Sequence, residues 1–158
     1  MQLQLFGTYE FRLYTPERKL IKEWTSKNGT TIEGKNHLLD VYFGGTTPVT
    51  AWYIGLIDNS GFSALAEADT LASHAGWTEL STYTGSRKEW IDAAAASKVK
   101  GTTTDASFTL SADKTIYGSF LCGAATGTSA KLFNTSAFSS PQVIANASIL
   151  DVSYSVQM

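Results

Sequence analysis

One cysteine, three prolines and two histidines in 158 residues leave no material for a disulfide framework, a collagen-like repeat or a Cys/His zinc cluster. Charge is scarce as well. Asp, Glu, Lys and Arg make up 16% of the chain, against about 25% in an average globular domain. The polarity comes instead from 20 Thr and 17 Ser. No apolar run approaches the roughly 18–20 residues that a membrane helix needs. The opening Met1-Gln2-Leu3-Gln4-Leu5 alternates, with neither a basic n-region nor an apolar h-region, so no secretory signal is expected. With Cys122 alone, folding in a reducing cytosol is the simplest expectation. What the chain does have is 43% hydrophobic and 12% aromatic residues, too many for a disordered tail. Its length suits about one domain.

The net charge of −2 argues against a nucleic-acid binder, whose footprint is a basic face. Its distribution is uneven. Residues 1–36 sum to +2, residues 37–86 contain no Lys or Arg and sum to −5, and the remainder sums to +1. The middle segment is also rich in Trp, Tyr and Phe. It suits a surface facing a basic partner, and Asp58, Glu67, Asp69, His74 and Trp77 are its candidate partner contacts. The plainer reading is that its aromatics fill a core and its charges are solvated.

Period-two alternation predicts strands at both ends. Leu3, Leu5, Tyr9, Phe11 and Leu13 alternate with polar residues, with Gly7 as a candidate bulge. Pro16 and Arg18 fall in a turn, and the chain returns through Trp24 to complete an N-terminal β-hairpin over residues 2–25. Residues 31–43 are the helix candidate. Thr31 is placed to cap it, Ile32, Leu38, Leu39, Tyr42 and Phe43 form one apolar face, and Gly44-Gly45 stops it. Gly34 weakens the first turn and moves the expected start towards Lys35. From Pro48 to Ile57 both alternating faces are apolar, as in a covered central strand. Later strands are expected around Trp77, residues 83–90, 106–110 and 115–122, and 149–156, with residues 64–73 as a helical turn or an extended loop. The whole predicts a mainly β chain: one β-sandwich or jelly-roll-like domain over residues 1–158, with one short helix and its remaining strands within 49–157.

Catalytic chemistry finds few residues. There is no H-E-x-x-H, C-x-x-C or G-x-S-x-G. His37 reads as a helix-packing or surface residue, and Cys122, two residues after Phe120, as a small buried one. The loop Gly123-Ala124-Ala125-Thr126-Gly127-Thr128-Ser129 has the wrong glycine spacing for a phosphate loop and Thr where the Lys belongs. Asp58-Asn59-Ser60-Gly61 lacks the later ligands of a calcium loop. Trp52, Tyr53, Trp77, Tyr83 and Trp90 suit either a sugar platform or a sandwich core. No enzyme activity, metal or cofactor is expected. Sequons at Asn28, Asn134 and Asn146 are read as turns.

The run Glu33-Gly34-Lys35-Asn36-His37-Leu38-Leu39-Asp40-Val41-Tyr42-Phe43 is followed by Trp52-Tyr53-Ile54-Gly55-Leu56-Ile57. Then come Ala68-Asp69-Thr70-Leu71-Ala72-Ser73-His74-Ala75-Gly76-Trp77-Thr78-Glu79 and Arg87-Lys88-Glu89-Trp90. In this order they resemble small virion proteins of tailed bacteriophages, among them capsid cement or decoration proteins. The likeness spans residues 7–154. It implies a β-sandwich on the outside of a phage head, made in the host cytoplasm, with the major capsid protein and its own copies as partners. No membrane and no direct nucleic-acid contact are expected, and the family brings no catalytic motif. A head–tail joining or tail/fibre-base role is the alternative within the virion. A carbohydrate-binding module or small hydrolase using the aromatic middle is the alternative outside it.

Overall fold

Odd-numbered apolar residues near the start of the chain and even-numbered ones at its end meet in a single ladder. The computed structural model describes residues 4–158 and contains, among them, twelve strands and one helix. These are β1 (Phe6–Tyr14), β2 (Leu20–Lys27), β3 (Gly29–Thr30), α1 (Ile32–Phe43), β4 (Tyr53–Asp58), β5 (Thr78–Glu79) and β6 (Lys88–Glu89). Then follow β7 (Ile91–Asp92), β8 (Val99–Thr104), β9 (Ala106–Thr109), β10 (Lys114–Cys122), β11 (Leu132–Ile144) and β12 (Ile149–Gln157). All pairings are antiparallel. One sheet runs β2-β1-β12-β8-β7, with β9 also on β12, and the other β3-β11-β10-β4-β5, with β6 also on β4. The chain is a mainly β sandwich of these two sheets.

β1 and β12 pair without interruption from Phe6↔Gln157 to Tyr14↔Ile149. Gly7 is therefore not a bulge; the irregularity of β1 lies at its other end, where pairing with β2 shifts between Leu13 and Tyr14. Of the predicted hairpin, Gln2 and Leu3 lie outside the described residues, and β2 continues past residue 25 to Lys27. Tyr9, Phe11 and Leu13 of β1 and Leu150, Val152 and Tyr154 of β12 face inward. They meet Ile54 and Leu56 of β4, Ile116 and Leu121 of β10, and Phe138 and Ile144 of β11 in one core. Phe11 stacks on Trp24 at 5.2 Å between centroids, with Phe138 edge-on at 4.8 Å. A polar link crosses the core: the Tyr9 hydroxyl donates to Asn134 Oδ1 at 2.6 Å, and Asn134 Nδ2 donates to the Tyr154 hydroxyl at 3.0 Å. Asn134 is thus a fully buried strand residue and not a turn.

A second cluster explains why both faces of β4 are apolar. Ile57, Phe120, Cys122 and Leu132 point to the outer face of the second sheet. The connection from β4 to β5 folds back over them, bringing Leu71 and Trp77, with Phe62 and Leu65 at its margin. It has no helical turn. Simple alternation along residues 115–122 would put Ile116, Gly118, Phe120 and Cys122 on one face, but a register shift between Ile116 and Gly118 breaks it. Ile116 and Leu121 consequently face the main core, while Phe120 and Cys122 face the second.

The helix forms where Thr31 predicts it. Thr31 is extended (φ −69°, ψ 162°), and its Oγ1 accepts from Gly34 N at 3.0 Å. The start is Ile32 and not Lys35, because the cap holds the first turn and Gly34 packs against the backbone of Phe133. The stop is the Gly pair: Gly44 N donates to Asp40 O at 2.9 Å, and Gly45 takes the left-handed φ of +70° that favours glycine. The expected apolar face is left largely uncovered. Ile32, Leu38, Leu39, Tyr42 and Phe43 are all exposed, and Gly34 is the buried residue of the helix. Residues 93–96 are not helical. They lead through Ser97 and Lys98, both at positive φ, into β8, which alternation did not announce.

Candidate interaction surface

α1 packs against β11 of the second sheet, and its docking is set by small residues. Gly34 touches Phe133 closely enough that a Cβ would stand 2.3 Å from the Phe133 carbonyl oxygen. Thr31 Oγ1 donates to Leu132 O at 2.6 Å, Glu33 accepts from Leu132 N at 2.8 Å, and Lys35 pairs with Glu67 on the loop beyond β4. At 100° per residue, Gly34, Leu38 and Val41 share one helix face, and this face looks inward. Ile32, Leu39, Tyr42 and Phe43 are turned away from it by about 80° to 180°; Ile32 and Leu39 are about half exposed, and Tyr42 and Phe43 are almost uncovered by the described residues. Tyr42 and Phe43 are 81% and 79% exposed and pack edge-to-face on each other at 4.8 Å.

Beneath the inward face is a cleft of about 350 Å³. Its walls are Leu38 and Val41 of α1, Val49 and Trp52 before β4, Leu121 and Phe133 of the second sheet, and Tyr154 and Val156 of the first. Trp90 and Val99 close one side. Residues 49–52, expected as the start of a strand, run unpaired into β4 along the cleft wall, with Trp52 O accepting from Trp90 N at 2.7 Å. His37 sits at its margin, edge-on to Trp52 at 6.0 Å. Lys98 and Lys100 stand on the rim. Lys100 pairs with Asp92 at 2.5 Å and lies over the Trp90 ring, whereas Lys98 is exposed and forms no ion pair among the described residues. An apolar concavity of this size is of the kind that takes a ligand or a partner's side chains.

The five contacts proposed from sequence do not form one site. Asp69, Trp77 and His74 come together: Trp77 Nε1 donates to Asp69 Oδ2 at 2.9 Å, and the His74 ring stacks on Trp77 at 3.8 Å. Trp77 and Asp69 are 3% and 7% exposed, so this trio holds the loop over the second cluster, with His74 as its half-buried outer member. Glu67 is exposed and tied to Lys35. Asp58 stands apart at the end of β4, accepting from Ser60 N at 2.9 Å and pairing with Lys114 at 3.3 Å.

The five aromatics do not make a platform either. Tyr83 and Trp90 belong to the main core, Trp77 to the second cluster, and Trp52 and Tyr53 are half-buried on different clusters. The Cys122 thiol is buried, donates to Ala124 O at 3.4 Å, and has its pKa pushed up chiefly by burial. His37 and His74 are engaged with Trp52 and Trp77 instead. No group of three or more His, Cys, Asp or Glu is placed to hold a metal among the described residues.

Sequence reasoning missed two features. Arg87, buried under residues 123–129, grips Glu79 through Nε and Nη2 at 2.7 and 2.6 Å and donates to Ala124 O at 3.0 Å. The basic rim at Lys98 and Lys100 was also unmarked. A signal for the helix orientation was present: Gly34, Leu38 and Val41 at i, i+4 and i+7 form a face small enough at one end for close approach. No family model matches the chain, and no curated protein matches it in sequence.

Proposed function

We propose that the protein is a structural virion subunit, a cement or decoration protein that sits on the outside of a phage head and bridges its capsid subunits. The exposed α1 stripe carries this reading. A pair of large aromatics about 80% exposed, beside an open apolar cleft, is costly in a free monomer and suits a chain that works against neighbours. Sparse surface charge is consistent with a subunit largely covered by partners. The resemblance of residues 33–43, 52–57, 68–79 and 87–90 to phage virion proteins supplies the setting. A protein that binds only the assembled shell stabilises it by its binding free energy, repeated at every site.

The experiment compares heads with and without the protein under heat and osmotic shock, with gel densitometry against the major capsid protein. Cementing predicts many copies per particle and early rupture of stripped heads. Equal survival of stripped heads, with a copy number near a dozen, would move the head–tail joining role ahead.

A further inference from the structure

α1 lines an apolar cavity with its inward face and carries a projecting apolar pair at its C-terminal end. Tyr42 and Phe43 project from its last turn, while Leu38 and Val41 look into the cleft. Nothing within the described chain fills the cleft or covers the projection. The two also differ in charge. The projecting end carries Asp40, exposed and without an ion pair among the described residues, and no basic residue in its last turn. The helix C-terminus adds its own partial negative charge there. The receiving rim carries Lys98, unpaired, and Lys100.

We propose that these are two halves of one contact between copies: Tyr42 and Phe43 of one protomer seat in the cleft of the next, with Asp40 set against Lys98. The occupant is a second copy because apolar projection and apolar cavity, negative end and positive rim, are both supplied by this chain. Knob and hole lie on different surfaces, so each copy gives and receives. If the exchange is reciprocal it closes a two-fold dimer; if it runs head to tail it gives a ring where the rotation closes and a filament where it does not. The aromatics act as anchors and set affinity, while the charges set orientation. This deepens the structural reading above and rests on it for the shell on which copies meet.

The test is sedimentation velocity on the purified full chain over a concentration series reaching hundreds of micromolar, with circular dichroism on each variant. Wild type is expected to associate, and Tyr42→Ser with Phe43→Ser to sediment as a folded monomer. Asp40→Lys should weaken association by about three- to tenfold, the range of an exposed pair turned repulsive. Asp40→Lys combined with Lys98→Glu should recover it, which a general loss of stability would not. A monomeric wild type, a double serine variant that still associates, or a charge swap without recovery would each overturn the proposal. The reading as a cement is judged separately, by head survival. A monomeric variant that still protects heads sinks self-association alone, and an associating wild type that fails to protect heads sinks cementing alone.

Discussion

Asn134 is a fully buried polar side chain whose amide is held by two tyrosine hydroxyls. From β11 of the second sheet it reaches across the core to the hydroxyls of Tyr9 and Tyr154, which are paired neighbours on β1 and β12 of the first. Asn134→Ala would leave two buried phenols unpaired, and the expected loss is about 3 kcal/mol in urea unfolding. Tyr9→Phe, which orphans one acceptor only, should cost about 1–2 kcal/mol. The phenols also set a pH limit. Burial pushes the pKa of Tyr83 up to about 12, and those of Tyr9 and Tyr154 upward too, whereas an unfolded tyrosine titrates near 10. Above that pH the unfolded chain holds fewer protons than the folded one, so stability falls as pH rises. The decline should begin at about pH 8.5, where the unfolded Cys122 thiol ionises while burial holds the folded one protonated, and steepen from about pH 10 as unfolded tyrosines titrate. Denaturant midpoints measured at rising pH check this, and Tyr83→Phe should make the decline shallower. A flat profile to pH 11 would mean that these groups are not sequestered.

For the helix, docking overrides propensity. Gly34→Ala should gain roughly 1 kcal/mol by intrinsic preference. A Cβ there meets the backbone of Phe133 instead, at 2.3 Å from its oxygen, and backbone cannot swing aside. Gly34→Ala is therefore expected to lower the melting temperature, while Asn36→Ala, on the exposed side, leaves it level or slightly raised. A stabilised Gly34→Ala would show that α1 is not seated on β11. The cap and stop of the helix and both terminal strands were legible because these are local signals, whereas Gly34 pointed to a start nearer Lys35 than the true one at Ile32. The direction in which α1 faces was not, since apolar spacing gives a stripe without saying what covers it. The path of β10 was hidden by a bulge that reverses its faces after Ile116. The buried Arg87 was hidden because its partners Glu79 and Ala124 come from separate loops.

Across the whole molecule, the pairing of the first strand with the last encloses a core that needs no cross-link, and the 59–77 connection adds a second core outside the second sheet. Of the candidate surface, the sequence marked an apolar face on α1 without saying what covers it, and it marked Trp77 as a partner contact, whereas Trp77 packs in the second core. Both have one cause: aromatics serve cores and interfaces alike, and only the fold divides them. The division has a measurable consequence for assembly. If exposed aromatics set the affinity between copies and charges only tune it, raising salt should remove little. Between physiological ionic strength and 1 M, the screening length falls from about 8 to about 3 Å, which silences exposed ion pairs but leaves apolar burial in place. The association constant is expected to fall by less than about tenfold, since one exposed pair contributes no more than about 1 kcal/mol. Calorimetric dilution should return a negative heat-capacity change for association, the mark of buried apolar surface. Complete dissociation in 1 M salt, with no heat-capacity change, would identify a charge-driven contact and remove Tyr42 and Phe43 from its centre.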